Sequence, residues 1–194
     1  MRWVYRHPSF YNVVDSLFSA WLSDRVRKKV LASLEPSSLL EIGIGSGKNM
    51  KLLVSPLRVG VDTSREMLKY TKSTYRDVKV IIGDAAHLPV RDGIFEVSVF
   101  CYVLRGLRKP LDAVREALRV SSKVIIIDYD RPYLLPRVVW DKVINRFSYA
   151  VYGSRDLDFA ALEELGASKR VFKYYCGLYR VIELEAAGVG KRRE

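Results

Sequence analysis

Five short runs rich in valine, isoleucine and leucine, at residues 39–42, 57–61, 78–82, 95–101 and 123–127, constrain the fold of this chain more than any other feature. Their richness in Val and Ile reads as strands buried on both sides. The stretches between them carry helical periodicity or turn residues, and strands that alternate with helices in this way build a parallel sheet covered on both faces. The alternation then breaks. Residues 129–155 hold Tyr129, Tyr133, Trp140, Phe147, Tyr149 and Tyr152 with Pro132 and Pro136, and a helical pattern at Val139, Val143, Ile144 and Phe147. A helix at 158–165, stopped by Gly166, leads to two last strands near 170–175 and 178–184. The tight Cys176-Gly177 turn between them requires an antiparallel pair.

The first strand runs into Glu41-Ile42-Gly43-Ile44-Gly45-Ser46-Gly47-Lys48-Asn49, three glycines on alternate positions after an acid. Glycine admits backbone conformations that a Cβ forbids and lets a ligand approach the main chain. A P-loop needs a glycine where Ile42 stands and a hydroxyl where Asn49 stands. A dinucleotide fingerprint needs its third glycine where Lys48 stands, beside the pyrophosphate. Both patterns fail, and what remains is acid-x-Gly-x-Gly-x-Gly, suited to a ligand with positive charge and no phosphate.

Open parallel sheets bind ligands outside the carboxyl ends of their strands, and Glu41, Asp62, Asp84 and Asp128 all fall at such ends. Asp62, at the end of the second strand, is placed to accept from two ribose hydroxyls. Thr63-Ser64-Arg65-Glu66 has capping-box spacing with Thr63 at the cap. In the helix that follows, Met67 and Leu68 are explained equally well as core or as flanks of a base. His87 reads as a turn residue and Lys48 as solvated.

Together, acid-x-Gly-x-Gly-x-Gly, Asp62 and Gly83-Asp84-Ala85-Ala86-His87-Leu88-Pro89 resemble the motifs of class I S-adenosylmethionine-dependent methyltransferases. That resemblance implies a seven-stranded, mostly parallel, doubly wound α/β sheet with helices on both faces, order 3-2-1-4-5-7-6, and strand 7 antiparallel. It also implies S-adenosylmethionine as cofactor, S-adenosylhomocysteine as product and no metal. Glu41, Gly43, Gly45 and Gly47 would then lie beside the methionine half, with Asp62 and Thr63 at the ribose, Met67 at the adenine edge, Asp84 on the adenine amino group and the Ala85 N–H facing the ring. Leu104-Arg105-Gly106-Leu107 and the helix after it, with Asp128-Tyr129-Asp130-Arg131-Pro132, are similar to segments of the ubiquinone/menaquinone biosynthesis C-methyltransferases. Gly106 replaces that family's asparagine, and Val120-Ser121-Ser122-Lys123 replaces its Lys-Pro-Gly-Gly exit. The resemblance implies a small or lipid-like phenolic or quinol acceptor; raising the nucleophilicity of such a ring calls for a cation at its oxyanion, a role that Arg105 fits unless it is a surface or helix-capping residue, with Tyr102 shaping the pocket.

At 194 residues the chain is expected to form one methyltransferase-like domain with a core that needs no metal or disulfide. Within it, residues 1–36 would be an N-terminal helical cap, 129–155 a lid and 188–194 a flexible basic tail. Residues 1–12 are aromatic but too irregular for a helix. A helix, broken or double, spans about 15–34 through Leu17, Phe18, Trp21, Val26, Val30, Leu31 and Leu34. No apolar run approaches 18 residues and no signal peptide is visible, so a soluble, cytoplasmic protein is expected. Cys101 and Cys176 are expected as buried, reduced thiols. The net charge of +11, from 33 basic and 22 acidic residues, favours acidic partners such as RNA, an anionic lipid surface or an anionic substrate. Arg137, Lys142 and Arg146 interleave with apolar residues over 132–151, which admits peripheral membrane contact as well as packing over a ligand. An RNA or protein methyltransferase, and a regulator that binds S-adenosylmethionine without turnover, are the alternative readings.

Overall fold

The computed structural model describes residues 6–18 and 22–187. The packing expected of Trp3 and Tyr5, the helical place of Trp21, the side chains of Leu17 and Phe18 and the 188–194 tail lie outside the described residues. Helices α1 (Pro8–Phe18) and α2 (Leu22–Leu31) lead into β1 (Ser38–Ile42), a 3-10 turn (Lys48–Lys51), β2 (Leu57–Asp62), α3 (Arg65–Thr74) and β3 (Lys79–Ile82). Then come β4 (Phe95–Cys101), a 3-10 turn (Leu104–Gly106), α4 (Pro110–Val120), β5 (Ser121–Tyr129) and a composite helix: α5 (Arg137–Val139), a π-helical stretch (Trp140–Asn145) and α6 (Arg146–Tyr152). Helix α7 (Phe159–Glu163), β6 (Ser168–Tyr174) and β7 (Tyr179–Glu185) complete it.

The strands form one sheet in the order β3-β2-β1-β4-β5-β7-β6, as the sequence predicts. β1 to β5 pair in parallel, and β7 runs antiparallel to both β5 and β6. Side chains alternate across the sheet. Leu40, Ile42, Phe100 and Ile126 pack on one face with Ala113, Val114 and Ala117 of α4 and Phe159 and Leu162 of α7. Leu39, Val99, Ile125 and Ile127 pack on the other with Val26, Val30 and Leu31 of α2 and Leu68 of α3. The helices thus cover both faces, and every parallel strand delivers its carboxyl end to the same edge.

Several local expectations differ. The irregular aromatic start contains α1, whose first residue is Pro8; proline fits the first helical position because that N–H has no intrahelical acceptor in any case. The helix expected to run from the glycine loop to residue 54 is only a 3-10 turn, since Pro56 disfavours helix in the residue before it and the chain must enter β2 at Leu57. Helix α3 is capped by Ser64, whose Oγ accepts from the Met67 N–H at 3.3 Å, and Thr63 stays at the strand end. Cys176 is exposed and not buried, because it sits in the turn at the tip of the β6–β7 hairpin; Cys101 is buried, and both are free thiols. α4 passes into β5 without a loop, the Ser121 hydroxyl donating to the Ala117 carbonyl at 2.6 Å.

No helix among the described residues is long and apolar enough to cross a membrane.

Candidate active site

After β1 the chain is drawn across the end of β2: the Gly43 and Ile44 N–H groups both donate to the Val61 carbonyl, at 2.8 and 3.1 Å. Gly43 has φ 75°, and a Cβ there would stand 2.6 Å from Val103 Cγ1 in the turn after β4, so neither the conformation nor the space admits a side chain. Gly60 in β2 is needed for a related reason: its missing Cβ is the space that Ile44 fills, 2.1 Å from Ile44 Cδ1. Asp62 holds the loop from below. Its Oδ2 accepts from the Gly45 N–H at 2.9 Å and its Oδ1 from the Ser64 N–H at 2.8 Å, tying the loop to the start of α3. Burial raises the Asp62 pKa, and these amide donors offset part of the rise.

Beneath the loop, Glu41 is buried. Its Oε1 accepts from Asn49 Nδ2 at 2.6 Å, while Oε2 has no hydrogen-bond partner among the described residues. Arg27 of α2 reaches in behind it, its Nη1 donating to Asn49 Oδ1 at 3.5 Å while Nη2 pairs with Asp24. Burial pushes the Glu41 carboxyl up to about 8, against the pull of Asn49 and Arg27. A desolvated carboxylate with an open oxygen is suited to a cationic partner. Further along the strand ends, Asp84 Oδ1 accepts from the Ala86 N–H at 2.9 Å, which shapes the turn that presents Ala85.

The opposite wall comes from β4, β5 and residues 130–155. Tyr102 holds φ 58°, a left-handed conformation rare for a residue with a Cβ and concentrated at functional sites. Its ring stacks on Tyr129 at 4.7 Å and meets Tyr179 edge-on at 6.1 Å, and its hydroxyl donates to the Ser23 carbonyl at 3.3 Å. Burial raises the Tyr102 pKa, so this phenol stays protonated. Arg105 is buried, with Nη2 donating to Asn145 Oδ1 at 2.6 Å and to Asp156 Oδ1 at 3.3 Å, and its guanidinium lies 5.8 Å from the Trp140 ring. Its Nε and Nη1 make no hydrogen bond among the described residues. Asp128 is buried at the end of β5, and its Oδ1 accepts from the Tyr129 N–H at 2.8 Å. Burial lifts this carboxyl to about 6, against the Tyr129 N–H, the charge of Arg105 and the backbone N–H groups of Arg105 and Leu104.

Both walls enclose one cavity of about 1280 Å³, more than the roughly 300–1,000 Å³ usual for a single small-molecule site. Glu41, Gly43, Gly45, Asp62, Thr63, Met67, Asp84, Ala85, Tyr102 and Arg105 line it. Gly47 does not: it turns the chain against α3, where a Cβ would meet Thr71 Cγ2 at 2.9 Å. Lys48, expected in solvent, is half-buried on the cavity wall. Arg27, Asn49 and Trp140 also line the cavity and carry no motif in the sequence. Asp128 shows the one available signal, an acid closing an apolar strand. Among the described residues, no group of three or more His, Cys, Asp or Glu is arranged to hold a metal ion.

Residues 40–124 match the sequence family described as Methyltransferase domain. A demethylmenaquinone methyltransferase of Renibacterium salmoninarum is 26% identical over 171 residues, covering 84% of this chain and 72% of the relative. One from Paenarthrobacter aurescens is 29% identical over 133 residues, covering 63% of this chain and 51% of the relative, so the chain spans about half of that protein's length. Among solved structures, a possible histamine N-methyltransferase of Thermotoga maritima superposes with a TM-score of 0.69 at 20% identity, covering 93% of this chain and 97% of that one; it shares the fold.

Proposed function

We propose that this chain, which belongs to the class I S-adenosylmethionine-dependent methyltransferases, transfers a methyl group to a small or lipid-like phenolic acceptor, a demethylated quinol of the kind named for its relatives. The observation that carries this reading is one cavity in which an unpartnered buried carboxylate oxygen, on Glu41, shares the space with a buried guanidinium that keeps two uncommitted nitrogens, on Arg105. S-adenosylmethionine supplies, when bound, an electrophilic methyl group on a sulfonium and an ammonium for the carboxylate beneath the glycine loop.

The residues of the chain then divide the work. Glu41 Oε2 would take the ammonium, and the remaining lone pairs of Asp62 would accept from ribose hydroxyls while its amide bonds keep the loop in place. Asp84 and the Ala85 N–H bound the adenine, and Met67 packs at its edge. Across the cavity, the Tyr102–Tyr129 stack presents a flat apolar surface to an aromatic ring. Arg105 Nε and Nη1 donate to the acceptor oxygen and favour its deprotonated form, which raises electron density at the ring carbon or oxygen to be methylated. Transfer to a ring carbon is completed by loss of that carbon's hydrogen as a proton to solvent, which restores aromaticity. Transfer to oxygen leaves the ring aromatic throughout, the proton given up being the hydroxyl's. In either case the donor would leave as a neutral thioether. Trp140, Phe147 and Tyr152, on residues 130–155, act as a lid that keeps water from the transfer.

The test is transfer of labelled methyl to a demethylated naphthoquinone, supplied reduced or oxidised. Label is expected in the lipid-soluble product with the reduced acceptor alone. Label recovered instead in RNA or protein, or tight cofactor binding with no turnover on any fraction, would overturn the assignment of acceptor.

A further inference from the structure

The lid that roofs the cavity also carries half of the large hydrophobic residues left exposed among the described residues. Of the large hydrophobic residues left exposed, Tyr133, Leu134, Val138, Val139, Val143, Ile144, Phe147 and Tyr149 all fall within 17 residues of chain. Leu134 is 82% and Tyr133 67% exposed, the highest values among them. A concentration of this kind marks an interaction surface, where scattered apolar residues would not. Val139, Val143 and Phe147 follow one another at four-residue spacing along the lid helix. Of these, Phe147 also lines the cavity, as does Ile144. The patch continues onto the tip of the β6–β7 hairpin: the Tyr133 N–H donates to the Cys176 carbonyl at 2.8 Å, and Tyr175 is exposed beside it.

Charge decides what this surface fits. Arg137, Lys142 and Arg146 are exposed within the same stretch and Arg131 two residues before it, and Lys173 reaches over the Tyr133 ring at 5.0 Å. Asp141 is the one exposed acid of the lid helix and is paired with Arg137 at 3.4 Å. A second copy of the chain would set these cations against each other, and the whole chain carries +11. Long basic side chains that keep their heads in water while apolar neighbours enter a hydrocarbon boundary are the pattern of an interfacial helix.

We propose that the outer face of the lid, residues 133–149, docks the protein on an anionic lipid bilayer, with Leu134, Val138 and Val143 entering the headgroup region and Arg137, Lys142 and Arg146 on the phosphates. Docking there sets the rim of the cavity, at Ile144 and Phe147, against the membrane, so an apolar acceptor can pass from bilayer to site without crossing water. The docking surface stands apart from the chemistry proposed above, and its test does not require turnover.

The experiment is co-sedimentation with vesicles of phosphatidylcholine alone and with about one third phosphatidylglycerol, at low and high salt. Binding to the anionic vesicles alone is expected, falling severalfold as salt is raised through the range where the Debye length drops below about 8 Å. Val138→Asp with Val143→Asp, and separately Lys142→Glu with Arg146→Glu, are each expected to lower vesicle binding about tenfold or more. None of these four residues lines the cavity, so S-adenosylmethionine affinity measured by calorimetry should be unchanged, which also shows that the variants are folded. No binding to anionic vesicles at low salt, binding that neither variant alters, or a dimer in solution that Val138→Asp with Val143→Asp dissolves would each overturn the proposal. A protein that docks but methylates no quinol would leave docking intact and remove the acceptor, so the two readings fail separately.

Discussion

The donor side of the cavity is held by contacts between neighbours in the chain and the acceptor side by contacts between strangers. Gly45 and Asp62 are 17 residues apart, Asn49 and Glu41 8, and Ser64 and Asp62 2. Arg105 meets Asn145 across 40 residues and Asp156 across 51. Short loops at strand ends hold their shape through a few amide–carboxylate bonds, so most of the donor side is a local property of β1, β2 and the turns that follow them, with longer ties from Arg27 to Asn49, from Thr71 Oγ1 to the Gly45 carbonyl and from Ser46 Oγ to Asn12 Oδ1 holding the loop against its neighbours. The acceptor side depends on how residues 130–155 settle on β4 and β5, and it can change its lining while the donor side stays fixed. Substitutions on the two sides should therefore have separable effects: donor affinity on one, acceptor turnover on the other.

The largest effect is expected at Asp62. Asp62→Ala leaves two loop amides without acceptors and removes the carboxylate for the ribose. At about 1.5–3 kcal/mol for a hydrogen bond to a charged group, S-adenosylmethionine affinity should fall roughly 100-fold or more by calorimetry. A loss of less than about threefold would mean that the loop holds itself without Asp62, and the local account of the donor side would be broken.

The same contrast explains what could be read from the sequence. The apolar strands follow from the Val- and Ile-rich runs and the hairpin, because burial on both faces leaves a compositional trace, whereas their order follows only from the resemblance to the class I methyltransferases. The loop is legible because failed alternatives, at Ile42, Lys48 and Asn49, exclude its competitors by spacing. Arg27 was not legible: it is a basic residue in a helix, like Arg25 and Lys28 beside it, and only the packing of α2 under the loop makes it part of the site. Asn49 was visible only as the wrong residue for a P-loop, although its amide is the sole side-chain donor to Glu41 among the described residues. The cap at Ser64 was displaced by one residue, since Thr63 and Ser64 have equal chemistry and only β2's last pairing, Asp62 with Ile82, decides where the strand stops. The ties of Arg105 to Asn145 and Asp156 leave no local pattern at all.

A smaller, more selective effect is expected at Arg105. Arg105→Ala removes the donors offered to the acceptor and the tie to the lid, and kcat/KM for the acceptor should fall about 30-fold. Donor affinity should stay within about twofold, because no donor-side residue bonds to Arg105. Arg105→Lys keeps the charge but loses the fork that reaches Asn145 and Asp156 together, so it should recover only part of the rate. A parallel loss of donor affinity would join the two sides and remove the comparison.

The smallest effect is a pH dependence at Glu41, and it separates the ammonium role from a purely structural one. The free carboxyl sits at about 8 because burial disfavours its charge, whereas the unfolded chain releases that proton near the ordinary 4.5 of a solvated glutamate. The folded, donor-free protein therefore holds a proton that the unfolded chain has lost, and its stability falls as pH rises from about 4.5 to 8. Glu41→Gln removes that loss: without donor it should melt higher than the parent at pH 8, with the gap closing towards pH 5. Binding runs in the opposite sense. An ammonium beside Oε2 favours the ionised carboxylate, so the parent must release a proton to bind, and its affinity should rise just under tenfold between about pH 6 and pH 7. The gain should end near pH 8, where an α-ammonium loses its own proton at about 7.7–8.0. For Glu41→Gln the same titration should be flat and weaker throughout. A parent whose affinity is equally flat would leave Glu41 as a support for Asn49 and the loop, with the ammonium held elsewhere on the donor side.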